Sequence, residues 1–199
     1  MMESMRTLAS LALADMPPET HVRPEHGEAV LRNQELLLGL TDDVVQGFYD
    51  TLYQHPQTSQ VFVDGERPMR EKTLADWYER TVRGPLDDDY WAWMALVGLT
   101  HVIRRVTNPM MLAMASYVAQ FIEERVVDFP ISEEERNLLV SAFRRVASMA
   151  SAIITYAYDN AISSALFEVV GMPEALLERL RDQEVSSALQ KAHQERNAG

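Results

Sequence analysis

Apolar residues recur along the chain at three- and four-residue spacing, the period of helices that bury one face. Residues 1–16 read as a loose first helix, stopped by Pro17-Pro18. A polar loop through Pro24 follows, and His21 and His26 are expected to be solvated there. Residues 25–38 read as one second helix. Thr41 or Asp42 can cap a third, which carries Val45, Phe48, Tyr49 and Leu52 on one side and ends at His55-Pro56. Pro68 suits the first turn of a fourth, with Leu74, Trp77, Tyr78 and Thr81 on one side, and Gly84-Pro85 stops it.

The later helices are more apolar. Asp87, Asp88 and Asp89 place negative charge where a helix dipole favours it. Tyr90, Met94, Val97 and His101 then share one face at i, i+4, i+7 and i+11. Asn108-Pro109 opens a helix with Leu112, Ala115, Ala119, Ile122 and Val126, ended by Phe129-Pro130. Ser132 and Glu135 have capping-box spacing. From there Leu139, Phe143, Val146, Ala150, Ile153, Ala157, Asn160, Ser164 and Phe167 follow heptad spacing, a helix of roughly 55–60 Å at 1.5 Å per residue. A helix that long has more apolar stripe than one small domain covers, so part of it is expected to meet another subunit. Gly171-Met172-Pro173 breaks the pattern before a charged amphipathic tail. No strand-like alternation, repeat or low-complexity stretch occurs. The expected architecture is all-α: an N-terminal helix and loop over 1–24, a central body over 25–171 and a helical tail over 172–199.

Composition narrows the function. With 199 residues, 47% of them hydrophobic, one domain with a substantial core is expected. A formal net charge of -12 argues against nucleic-acid and anionic-lipid partners. The absence of cysteine removes disulfides, thiolate metal sites and thioether-linked cofactors. The uncharged stretch over 106–122 contains four polar residues and falls short of a span, so none is expected. Arg6 and the short apolar run ending at Ala14 imitate a signal peptide, but Glu3 and the brevity of the run favour a terminal helix and a cytoplasmic location.

Two residues invite chemistry. His101 is the histidine set in a strongly apolar helical stretch, where an imidazole must hydrogen-bond or bind a metal. No second ligand lies three or four residues away, which argues against zinc and leaves a single-ligand metal such as haem iron. A satisfied core histidine is the alternative. Tyr49 sits on a core-facing helix beside Phe48, and its hydroxyl serves either a structural partner or an iron-bound ligand.

Phe48-Tyr49-Asp50-x-Leu52, His55-Pro56, Gly84-Pro85-x-Asp87 and Val97-Gly98-x-x-His101 follow one another as in the protoglobin and globin-coupled sensor families, which this chain resembles over about residues 30–165. The resemblance implies a globin fold with an extra N-terminal helix, long C-terminal helices and a helical tail, packed around non-covalent haem b. It implies His101 as the proximal iron ligand, and Tyr49 and Thr73 as polar residues facing bound gas. Trp77, Met94 and Val97 would line the pocket, although Trp77, Tyr78, Trp91 and Trp93 read more readily as core. Arg70, Lys72, Arg104 and Arg105 are candidates for the haem propionates. One departure follows His101, where the families continue Ile-Gly-Leu and this chain has Arg104-Arg105-Val106.

The function this implies is reversible binding of oxygen, carbon monoxide or nitric oxide by a single-domain sensor, not an enzyme. It would signal through a protein partner and pair as a homodimer through residues 109–127 and 133–170. The alternative is a haem-free interaction module of globin shape. Haem redox catalysis, as a nitric oxide dioxygenase or peroxidase, ranks third, because no distal acid-base histidine accompanies Tyr49.

Overall fold

A computed structural model describes residues 3 to 197. Ten α-helices occur among these residues, and no strand. They are α1 (Met5–Ala14), α2 (Pro24–Arg32), α3 (Gln34–Leu38), α4 (Thr41–Gln54), α5 (Pro56–Ser59), α6 (Arg67–Arg83), α7 (Asp88–Arg104), α8 (Asn108–Val126), α9 (Glu133–Val170) and α10 (Glu174–Asn197). The chain divides into a compact unit ending at Asp159 and a second unit from Asn160 onward, the division falling within α9.

Local chemistry explains most boundaries of the first unit. Asp87 caps α7, its Oδ1 accepting the Tyr90 backbone N–H at 3.0 Å. Pro24, Pro68 and Pro109 occupy first-turn positions of α2, α6 and α8, where the missing N–H costs nothing. Gly84 closes α6 at φ 61, a backbone conformation that L side chains rarely adopt.

Three expectations are corrected. Residues 25–38 are not one helix. Asn33 breaks them into α2 and α3, and its buried side chain donates to the Ala29 carbonyl at 2.9 Å and to Glu135 Oε1 at 2.7 Å. His26 is buried, not solvated. Because α2 begins at Pro24, the imidazole turns back and its Nδ1 accepts the Arg23 backbone N–H at 3.0 Å. Neither Thr41 nor Asp42 caps α4, since Leu40 holds that position and the Thr41 hydroxyl donates to the Leu38 carbonyl at 2.8 Å.

The Ser132–Glu135 box forms by half. Ser132 Oγ accepts the Glu135 N–H at 3.2 Å, while the Glu135 carboxylate is bound bidentately by Arg32 at 3.0 and 3.1 Å. That pair ties the end of α2 to the start of α9, and the arginine keeps the carboxyl below its ordinary range.

Three apolar clusters fill the first unit. One joins Leu8, Ala9 and Ala12 of α1 to Tyr90, Trp91, Met94 and Ala95 of α7 and to Met149, Ala150, Ile153 and Ala157 of α9. A second gathers α2, α3 and α6 around Ile122, Leu139 and Phe143. The third lies between α4 and α8, with Val45, Tyr49, Leu52 and Met114 at its centre. Burying each large side chain contributes about 1.5–3 kcal/mol before entropy is charged. Within this unit the heptad stripe of α9 is buried from Leu139 to Ala157, as core rather than as surface.

The second unit holds the last turns of α9 and all of α10. Phe167, Val169 and Val170 are exposed, as are Leu176, Leu180, Val185 and Leu189 on α10. One helix among the described residues, α9, is long and apolar enough to cross a membrane by length and composition.

Candidate functional site

The helix that carries His101 is positioned by a glycine. A Cβ built on Gly98 would lie 2.5 Å from the Ile154 carbonyl oxygen and 2.9 Å from the Ala157 Cβ, so α7 reaches α9 at a distance only glycine allows. One turn later stands His101, half-buried. Its imidazole makes no hydrogen bond or ion pair with any described residue. Burial alone pushes its pKa down to about 4. At neutral pH the ring is therefore uncharged, with an unshared nitrogen lone pair. An iron porphyrin asks one protein side chain for that donor, so His101 fits the group. No cluster of three or more metal-ligating side chains occurs among the described residues.

On the same face, Tyr90 and Met94 are fully buried, and Val97 is half-buried against the same cluster. Trp77 of α6 packs on this cluster too. The Thr81 hydroxyl donates to the Trp77 carbonyl at 2.9 Å, so the Tyr90 hydroxyl donates to Thr81 Oγ1 at 2.8 Å. Burial pushes the Tyr90 phenol up to about 12, against the opposing pull of Thr81 and the Trp77 indole. The indole nitrogen of Trp77 is enclosed and lacks a hydrogen bond of regular geometry. Tyr78 and Trp91 are core, as one reading of the sequence has it, and the Tyr78 hydroxyl donates to the Leu37 carbonyl at 2.8 Å.

Tyr49 lies in the third cluster instead. Its ring packs edge-on against Phe48 and Phe62, with centroids 5.3 and 5.9 Å away. Its hydroxyl is satisfied, donating to the Arg70 carbonyl at 2.8 Å, and burial raises its pKa. Thr73 is exposed and donates to the Met69 carbonyl at 3.0 Å, the usual habit of a helical threonine. The structure thus places Trp77, Met94 and Val97 in one cluster, Tyr49 in another, and Thr73 at the surface.

Arginines on the two sides meet at a residue that periodicity did not mark. Glu66, between α5 and α6, receives Arg104 Nη2 from the end of α7 and Arg70 Nη2 at 3.4 Å, while its other oxygen accepts the Val63 N–H at 3.0 Å. Burial alone would raise the Glu66 carboxyl, but Arg104 and the Val63 amide outweigh it and hold it below its ordinary value. The one sequence signal for this arrangement is the i, i+4 spacing of Glu66 and Arg70. Lys72 is engaged elsewhere, 2.8 Å from Asp76.

Arg105 ends α7 in the left-handed region at φ 58, and the Val106 N–H reaches the His101 carbonyl at 3.0 Å. Two clefts of about 730 Å³ each open elsewhere in this unit. One involves Glu19, Glu123, Arg136 and Arg144, and the other lies between α1, α8 and α9; neither includes His101 or Tyr49.

The family model described as Protoglobin matches residues 20–164. No curated protein matches. Among solved structures, the chain is similar to the globin domain of a globin-coupled sensor from Geobacter sulfurreducens. The TM-score is 0.63 and the identity 20%, over 79% of this chain and 99% of that one. It is also similar to the ferric globin domain of DosC from E. coli, at TM-score 0.57 and 10% identity, over 76% of this chain and 97% of that one. At these identities the likeness shows the fold, an all-helical globin.

Proposed function

The chain belongs to the protoglobin family, and on that premise we propose that it is a cytoplasmic sensor globin, holding haem b through His101 and reversibly binding a diatomic gas. The observation that carries this reading is the half-buried, neutral and unpartnered imidazole of His101. No protein donor or acceptor has to be given up for that nitrogen to bind iron. Haem, when bound, supplies an iron with one open position for oxygen, carbon monoxide or nitric oxide. Val97 and Met94, one and two turns before His101, offer apolar wall on the same helix face. Trp77 adds an enclosed indole. Tyr49 serves the gas only by giving up the Arg70 carbonyl, whereas Thr73 needs a change of both exposure and partner.

Signalling requires that gas binding favour one of two arrangements. The tight crossing of Gly98 on Ile154 makes α9 the element through which movement of α7 would be felt. Pairing of two copies through residues 109–127 and 133–170 would seat that helix in a subunit interface. Supporting this is the cleft between α1, α8 and α9, lined by small residues such as Ala115, Ala119, Ser148 and Ala152 and bordered by exposed Leu112.

The test is expression with ample haem. A Soret band is expected in the purified chain and its loss in His101→Ala, with helicity kept by circular dichroism. A colourless wild type that takes up no added haemin would overturn the reading. A second reading, a haem-free interaction module, is favoured by the satisfied Tyr49 hydroxyl and by clefts that lie away from His101. It expects the opposite spectrum.

A further inference from the structure

Glu66 stands between the two candidate sides of the haem site. Arg70 is bonded through its backbone to the Tyr49 hydroxyl, and Arg104 lies three residues after His101, on the same side of α7. Both guanidinium groups converge on Glu66 Oε2. The three side chains are largely covered, with 11% of Glu66, 23% of Arg70 and 27% of Arg104 exposed. The nearby Arg67 is taken up by Asp50 and Glu71, each at 2.6 Å, and does not join them.

One carboxylate therefore answers two arginines, in a partly desolvated place. A guanidinium has five N–H donors in a planar fork suited to carboxylate, and one shared oxygen leaves most of them unused. The donors left over can take a second carboxylate, or a pair of them that replaces Glu66. Haem carries two such carboxylates on one edge of its ring.

We infer that Glu66 is a built-in competitor for the haem carboxylates, holding Arg70 and Arg104 when no haem claims them and thereby setting how firmly the chain retains its cofactor. This rests on the haem reading above and adds to it a control on cofactor retention. Any carboxylate of haem that pairs with Arg104 must displace Glu66 or share the arginine with it. The negative charge of Glu66 then opposes the bound form, and removing that charge while keeping the side-chain shape strengthens it.

The experiment follows haem transfer from the full chain to excess apomyoglobin in the Soret region. Each protein is loaded either with haemin or with haemin dimethyl ester, whose carboxylates are masked. Glu66→Gln should lose haemin about tenfold more slowly than wild type, and Arg104→Gln several-fold faster. In the double variant the benefit of Glu66→Gln should disappear, and with the dimethyl ester neither single variant should differ from wild type. Should Glu66→Gln fold poorly, Glu66→Ala takes its place, with the same slower loss expected for haemin and not for its ester. Haemin loss from Glu66→Gln at the wild-type rate or faster, or a gain that persists with the ester, overturns the proposal while leaving haem binding intact. A wild type that takes up neither compound overturns the haem reading itself, and this inference with it.

Discussion

Gly98 and Ile154 meet backbone to backbone, with the Ile154 carbonyl oxygen 2.5 Å from where a Cβ on Gly98 would stand. That oxygen is main chain on a long helix, so it cannot swing aside as a side-chain tip could. Gly98→Ala must push α7 off α9, and overpacking of this kind costs about 1–3 kcal/mol. Chemical denaturation should show that loss despite the better helix propensity of alanine. Unchanged stability would mean that the two helices separate freely at this point.

Arg105 adopts φ 58, a region where a side chain is disfavoured by about 1–2 kcal/mol. Glycine there relieves the strain but frees the unfolded chain, at a cost of roughly 0.5–1 kcal/mol. Arg105→Gly is therefore expected to be neutral or to stabilise by up to about 1 kcal/mol, measured by thermal melting. A clear loss of stability would show that the Arg105 side chain contributes a contact worth more than the strain.

Tyr49→Phe removes the bond from the phenol to the Arg70 carbonyl, which keeps its place in the ladder of α6. The haem-free chain should lose about 1 kcal/mol. In the haem-loaded chain the same variant reports on gas. If the phenol turns to a bound ligand, oxygen should dissociate roughly tenfold faster or more, on the scale of 1.4 kcal/mol per factor of ten. An unchanged oxygen off-rate would assign Tyr49 to structure alone.

His26 makes stability depend on pH. Burial lowers its pKa below the ordinary 6.5, and Arg145 pushes the same way, with Glu25 pulling against it and Arg23 adding a smaller push downward. Its Nδ1 accepts from Arg23, so Nε2 bears the proton and faces Ser141 Oγ at 3.2 Å. Above pH 6.5 neither folded nor unfolded histidine is charged, and the full stability is present. As the pH falls below 6.5 the unfolded chain gains a proton that the folded chain resists, so stability is lost. His26→Asn keeps a capping acceptor without the titration and should show a shallower loss between pH 6.5 and 5 in denaturant melts. The depressed His101 acts in the same sense in both chains and cancels in the comparison. Parallel curves for the two proteins would remove His26 from the account.

Leu112 is 47% exposed on α8 beside the small-residue cleft. If two copies pair through this face, Leu112→Glu buries a charge at the interface and should turn a dimer into a monomer in sedimentation velocity at micromolar concentration. The fold of each copy should persist, because the side chain is not in the core. A wild type already monomeric under those conditions would end the pairing proposal.

Punctuation and periodicity along the chain were sufficient for the long helices, though not for the break at Asn33 or the short α5. Gly84-Pro85, Asp87, Asn108-Pro109 and Gly171 act through their own backbone preferences, and the heptad stripe of α9 from Leu139 to Ala157 needs only an apolar partner of any kind. Those are local rules, so the all-helical character and the apolar sequence around His101 were legible without coordinates, while the globin fold was what the family resemblance of the ordered motifs implied. Partners distant in sequence were not. His26 is buried because α9 covers it, Asn33 breaks a helix because Glu135 waits 102 residues away, and Glu66 gathers two arginines from separate helices. Tyr49 has the residue type to face a gas, yet its hydroxyl direction was decided by where the Arg70 carbonyl came to rest. A hydrogen bond or ion pair depends on positions to within a fraction of an ångström, and only the packed helices set those positions.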